Sequence, residues 1–327
     1  MKQHYIPRCY LRKFSDNEKS IFAYDKVNSK SYKASLMSVC CEEDTYTLSD
    51  NYVNRSREEN GRPINSLSIE KEHFSHFIEP SYSQLLSQID EIKEDWILGK
   101  EKYRLSYYEK KELALHIATQ YFRHPKIGDA EVDNYLRLEQ ASVDMLKYVL
   151  AKQTDNEGLE KLKIEVGCEK PALHAMLTYM DYDELMKCAE VMANNIFVFW
   201  VSRAGDFYTS DFPIIVEPHV KDVGNQYCGL VQYGGEILMS LSPSLALSIF
   251  DRDHFKDKGY MDSSFVIADD KEIRRHNLMR YFYAQRHVFS YRNDFSLIEN
   301  FYQLNGRKHI FMTPHLKAEI VSGLGRY

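Results

Sequence analysis

The hydrophobic period of this 327-residue chain shifts from that of helices to that of strands near residue 195. From Ser68 to Asn194 apolar residues recur at three- and four-residue steps, as in Phe74, Phe77, Ile78, Leu85, Leu86, Ile89 and Ile92. That spacing belongs to amphipathic helices. Beyond it, NIFVFWVSRAGDFYTSDFPIIVEP is a series of short apolar runs broken by turn residues, the pattern of strands. Helices first and strands later predict an α+β fold, mainly helical, with a small antiparallel sheet in the C-terminal half.

The same reading places the elements. Residues 20–36 predict a β-hairpin around a polar KVNS turn, since Ile21, Ala23, Tyr32 and Ala34 alternate with polar residues. Residues 49–66 are polar and read as a loop. The helical run from Ser68 contains Pro80, which lacks an N–H and clashes with the preceding turn, so a kink or break is expected there. Further helices are expected at about Tyr107–Arg123, Asp129–Gln153 and Tyr182–Asn194, with Pro171 in a linker. Ala204-Gly205 and Ser210-Asp211-Phe212-Pro213 read as turns, and Gly229–Tyr233 and Glu236–Leu241 as strands. Ser242-Pro243 is expected to start a short helix, because proline suits a first helical turn. A last helix covers about Asp270–Tyr283, and residues 295–327 carry no clear pattern. One domain over 1–327 is expected, built from an N-terminal segment and hairpin (1–66), a helical core (67–195) and a sheet with a closing helix (196–327).

Charge and cysteines narrow the setting. The net charge of −6 excludes a uniformly basic surface, although a local basic groove stays open. No apolar run approaches the roughly 20 residues of a membrane span, so no membrane partner is expected. The six cysteines form no CxxC pair, and the N-terminus has no apolar leader. Reduced thiols and a cytoplasmic location are therefore the expectation. Twenty-four tyrosines and 17 phenylalanines, with 14 glycines and 9 prolines, suit long helices packed with large side chains.

One helix carries the strongest chemical signal. In EKKELALHIATQYFRHP, apolar residues surround most of the helix, yet His116, Gln120, Arg123 and His124 fall on one face. A buried arginine needs a carboxylate or an anionic ligand. Glu72, His76 and Glu79 share a face of the preceding helix at a 3.6-residue period. Glu79 is the expected partner of Arg123. The same three residues could ligate a divalent metal or form an ordinary hydrated edge. Ser210 and Asp211 occupy a turn between apolar strands, where a carboxylate either caps backbone donors or orients a ligand. Arg274, Arg275, Arg280 and Arg286, with His276 and Asn277, give local positive charge, read mostly as solvated surface. At the N-terminus, HYIPRCYLRKF reads as a docked segment. Pro7 starts a short helix anchored by Tyr10, Leu11 and Phe14. No P-loop, GxGxxG, GxSxG, HExxH or HNH-like pattern is present.

The series HYIPRCYLRKF, EHFSHFIE, QYFRHP, YTSDFPIIV, LSPSLAL and HNLMRYFYAQRHVF resembles, in order and spacing, the domain-of-unknown-function 4238 family. The resemblance implies a bacterial protein, and it implies that His4, Tyr5, Pro7, Glu72, Glu79, Gln120, Arg123, Pro125, Ser210, Asp211, Pro213 and Asn277 are family positions. This set is largely polar. The expectation that follows is a single polar site, with the N-terminal segment bringing His4 beside Glu79, Arg123 and Asp211. Such a site suggests a hydrolase acting on a phosphate-containing substrate, a nucleic acid or a nucleotide. Arg123 would bind the anion and His4 would act as general acid or ligand. Glu79 and Asp211 would hold Mg²⁺ or Mn²⁺ or serve as general base. Arg8, Gln120, Ser210 and Asn277 would bind or orient substrate. The alternative is a non-catalytic binding or sensor component of a bacterial defence or toxin system, with the cluster a structural ion-pair network.

Overall fold

The first fourteen residues belong to the core. In the computed structural model, which describes residues 1–60, 64–100, 104–220, 229–312, 321–322 and 325–326, β1 (Lys2–His4) leads through Pro7 into α1 (Arg8–Arg12). Pro7 is the N-cap residue, and Tyr10, Leu11 and Phe14 are fully buried. β2 (Ser20–Asp25) and β3 (Lys30–Ser35) form the expected hairpin, with Ile21 opposite Ala34 and Ala23 opposite Tyr32. β4 (Cys41–Glu43) returns to pair antiparallel with β1. α2 (Asp50–Asn60) stands where a loop was expected. Its sequence is polar almost all round and buries little beyond Val53, so no periodic apolar stripe betrays it. Residues 61–63 of that expected loop, and Cys228, lie outside the described residues.

The helical run from Ser68 is two helices of different winding. Ile69–Ile78 is a π-helix, and α3 (Glu79–Ile97) continues in α register. The Glu79 amide donates to the Phe74 carbonyl, five residues back. Pro80 falls in the first turn of α3, and its missing N–H ends the i→i+5 ladder at the Glu79–Phe74 bond. The expected break at Pro80 is thus a change of winding. α4 (Tyr107–Arg123) opens on a capping box between Ser106 and Glu109. One extended residue, His124, separates it from α5 (Pro125–Thr154), which Pro125 starts earlier than the apolar pattern suggested. α6 (Lys170–Leu177) occupies the Pro171 linker, and α7 (Tyr182–Ala193) lies where expected.

The strand region divides between two sheets. It supplies β5 (Ile196–Val201), β6 (Thr209–Ser210), β7 (Ile215–Pro218), β8 (Gly235–Ser242), β9 (Leu245–Phe250) and β10 (Ser264–Ile267). Five strands run in the order β10-β5-β9-β8-β7, antiparallel except for the parallel β10–β5 pair. α8 (Asp270–Tyr283) spans the expected residues and leads into β11 (His287–Ser290). β11 pairs with both β2 and β6, so the N-terminal hairpin is completed by strands from the far end of the chain. α9 (Ser296–Leu304) and a short pair, β12 (Val321–Ser322) and β13 (Gly325–Arg326), follow. Two sequence expectations fail here. Pro243 and Ser244 form the turn between β8 and β9, because a fixed φ suits a turn as well as a helix start. Residues 229–233 are turns, and the strand begins at Gly235. Gly205, at φ +74°, carries the turn read at Ala204-Gly205.

Helices occupy 47% of the described residues and strands 18%, which makes the fold α+β and mainly helical. One apolar cluster joins Tyr10 and Phe14 to Phe74, Leu85, Ile117 and Leu247, residues from all three parts of the sequence. Leu11→Ala and Phe14→Ala should each cost about 2–5 kcal/mol of stability in urea unfolding. A loss below about 1 kcal/mol for either would contradict the core placement of the N-terminal segment.

Candidate functional site

Arg123, at the C-terminal end of α4, is 1% exposed. Its Nη1 lies 2.9 Å from Glu79 Oε1, its Nη2 lies 3.7 Å from Glu70 Oε2, and Nη2 also donates to the His4 carbonyl. The guanidinium stacks 3.8 Å from the centre of the Phe74 ring. The Tyr46 hydroxyl donates to the Arg123 carbonyl at 2.8 Å. Burial works against the charge, but the Tyr46 phenol and the two carboxylates outweigh it and hold the guanidinium above its usual range. Burial also raises Glu70, with Arg123 opposing. One side chain therefore ties β1, the π-helix, α3 and the segment before α2 to the end of α4.

The π-helix is what brings both carboxylates to Arg123. In an α-helix the nine residues from Glu70 to Glu79 make about two and a half turns and put them on opposite faces. Winding with i→i+5 bonds widens each turn, so Glu70, Phe74 and Glu79 meet Arg123 together. Glu72 and His76, which a 3.6-residue period aligns with Glu79, are exposed instead. Glu72 accepts from Asn65 and Ser68, and His76 Nδ1 bonds the Lys71 carbonyl. Glu70 was invisible to a reading that assumed α-helical spacing.

Asp211 anchors a second clamp. Its Oδ1 accepts the Gln285 amide at 2.8 Å, and its Oδ2 accepts those of Arg286 and His287 at 2.8 and 2.7 Å. Lys26, also buried, faces the same stretch from the hairpin. Its Nζ donates to the carbonyls of Tyr281, Phe282 and Ala284 at 2.6, 3.1 and 3.1 Å. The exit from α8 into β11 is thus held by a carboxylate on its amides and an ammonium on its carbonyls. Burial pushes the Asp211 carboxyl up to about 6 against the three amides and Lys26. Burial pulls Lys26 down to about 7 against Asp211. No sequence motif marked Lys26; its role follows from the β2–β11 pairing.

The expected single site is therefore two neighbouring clamps. The structure brings Arg123, Glu79 and the His4 backbone together, with Arg8 within electrostatic reach of His4 and Glu70. The His4 imidazole turns away and bonds the Leu36 carbonyl at 3.0 Å, and Arg8 Nη1 meets the Met37 sulfur. The Asp211 carboxylate faces residues 285–287. Its carbonyl bonds His124 Nε2 at 2.9 Å, and this contact joins the two clamps. His124 Nδ1 accepts the Lys126 amide, so Nε2 carries the proton. Asn277 spans the Tyr208 amide and the Asp206 carbonyl, and the Ser210 hydroxyl closes on Phe212 within its own turn. Gln120 is buried, and neither atom of its amide has a hydrogen-bond partner among the described residues.

α8, expected to be mostly solvated at its arginines, is largely engaged. Arg280 is fully buried and donates to the Pro213 carbonyl. Arg275 Nη1 lies 3.0 Å from Glu217 Oε2 and 3.1 Å from Glu236 Oε2. Glu217, His219 and Glu236 place their ligand atoms within 4.8 Å of one another, a metal-compatible grouping among the described residues, but the Arg275 guanidinium already supplies a cation there.

The buried histidines set a pH dependence. Burial pulls His73, His116 and His124 down to about 4. The unfolded chain protonates them near 6.5, so the stability of their neutral forms is present above that pH and is lost as pH falls toward 4. Asp211 acts oppositely: its folded pKa of about 6 exceeds the unfolded value of 3.8, and it gains stability over the falling range. Three groups outweigh one, so the thermal unfolding midpoint should drop between pH 7 and pH 5. A flat or rising midpoint would contradict the assignment.

Comparison with curated proteins and with solved structures finds no match. A family model described as "Protein of unknown function (DUF4238)" matches residues 2–294, a span that holds both clamps from His4 to His287. The chain, by that match, belongs to the DUF4238 family.

Proposed function

We propose that this protein acts by binding rather than by hydrolysis, and that its polar family positions form the network that fixes the fold. The observation that carries this reading is how far the four residues expected to be catalytic are engaged within the fold. Both Asp211 oxygens accept backbone amides, Arg123 turns Nη1 and Nη2 to Glu79, Glu70 and a backbone carbonyl and leaves only its buried Nε without a partner among the described residues, and the His4 ring holds the Leu36 carbonyl. A general base needs a lone pair within reach of substrate, and an anion clamp needs free N–H groups. Ser210 and Asn277 are likewise engaged with backbone. In this reading Mg²⁺ and Mn²⁺ have no role at Glu79 and Asp211, and the partner is a ligand or a protein rather than a nucleic acid or nucleotide.

Cutting a buried charge pair on one side costs about 3–5 kcal/mol, whereas removing charges from a functional site often costs little or stabilises. Thermal unfolding of Arg123→Ala and Asp211→Ala, with and without Mg²⁺ or Mn²⁺, separates the two. Both variants should melt well below wild type, and metal should move no midpoint. Variants that melt at or above wild type, with metal stabilising only the wild type, would restore the metal-assisted hydrolase.

A further inference from the structure

We infer that the cavity behind the π-helix binds a small, mostly apolar molecule that carries a hydrogen-bond donor; this rests on the binding reading above and names its ligand class. The cavity, about 490 Å³, lies between α2, the π-helix, α6 and the start of α7. Leu48, Ile69, Phe77, Ala175, Met176 and Met180 supply apolar wall. Phe77 is 73% exposed, Met176 64% and Met180 45%, although the helices that carry Phe77 and Met176 bury their other faces. Large apolar side chains left in water around a concavity mark a binding surface. The volume suits a drug-sized molecule and is too small for a packed helix.

The polar groups define the ligand's head. His73 lines the cavity and is 8% exposed; its Nδ1 lies 3.4 Å from the Tyr182 hydroxyl, and its Nε2 has no hydrogen-bond partner among the described residues. Glu72 places a carboxylate at the rim. The nearest buried cation, Arg123, is already matched by two carboxylates. The Glu72 carboxylate favours an amine or hydroxyl and disfavours an anion, and the neutral imidazole beside it supplies no cation to offset that preference.

The π-helix also joins the cavity to the Arg123 clamp. Glu70 and Phe74 face Arg123, with Glu79 at the helix end, while Ile69, His73 and Phe77 face the cavity. Ligand and clamp thus bear on the same ten-residue element.

The test uses the full chain with Nile red, a neutral apolar dye, and two competitors that share an apolar body: 4-phenylbutylamine and 4-phenylbutyrate. Dye emission should rise with wild type and fall about tenfold in Phe77→Glu and in Met176→Glu. Both side chains are exposed, so both variants should keep the wild-type melting midpoint. Leu138→Glu, an exposed position on α5, should leave the dye unaffected. The amine should displace the dye about tenfold more tightly than the carboxylate. Equal dye emission in wild type and the two cavity variants, or no emission with wild type, overturns the site. A carboxylate that competes as well as the amine overturns the ligand class. Either failure leaves the binding reading standing, since that reading falls only on the melting behaviour of the Arg123 and Asp211 variants.

Discussion

A guanidinium with almost no contact with water is the constraint around which this fold is arranged. Arg123 cannot be buried alone, because an unpaired internal charge costs several kcal/mol. The chain answers with two carboxylates, a backbone carbonyl and an aromatic face, drawn from segments up to 119 residues away in sequence. This explains two features that otherwise look unrelated. The N-terminal strand is held in the core because its His4 carbonyl accepts from Arg123 while its backbone pairs with β4. The helix before Pro80 winds as a π-helix because only that winding turns Glu70 and Glu79 toward the same guanidinium.

The Asp211 clamp applies the same physics to backbone. A chain leaving a helix exposes unpaired carbonyls, and the turn that follows exposes amides. Lys26 takes the first and Asp211 the second. Two charges of opposite sign, one from the hairpin near the N-terminus and one from a turn beyond residue 200, stitch the ends of the chain into one four-stranded sheet. His124 then ties this clamp to the Arg123 clamp through a single bond to the Asp211 carbonyl.

Much of this was legible in the sequence, and the failures have physical causes. α4 and α7 were readable because an apolar period marks them, and all three of α4, α7 and α8 open on a capping side chain, Ser106, Asp181 and Asp269. The Glu79–Arg123 pair was readable because a buried arginine demands a carboxylate. Glu70 was not, because the period that locates faces was assumed to be 3.6 residues. α2 was missed because a helix that buries so little has no stripe. Pro243 misled because a turn and a helix start want the same φ. The polar family positions pointed to residues that the structure buries in hydrogen-bonded clamps, among them Arg123 and Asp211, but not to what they touch, since a residue type does not say whether its lone pairs face a substrate or the backbone.

The central claim, that the π-winding exists to place two carboxylates on Arg123, is tested most directly by the urea unfolding of Glu70→Gln beside Glu72→Gln. The account predicts that Glu70→Gln loses about 1–3 kcal/mol and that Glu72→Gln stays within about 0.5 kcal/mol of wild type. Equal losses, or a larger loss at Glu72, would mean that the helix presents its α-helical face to Arg123, and the account would fail.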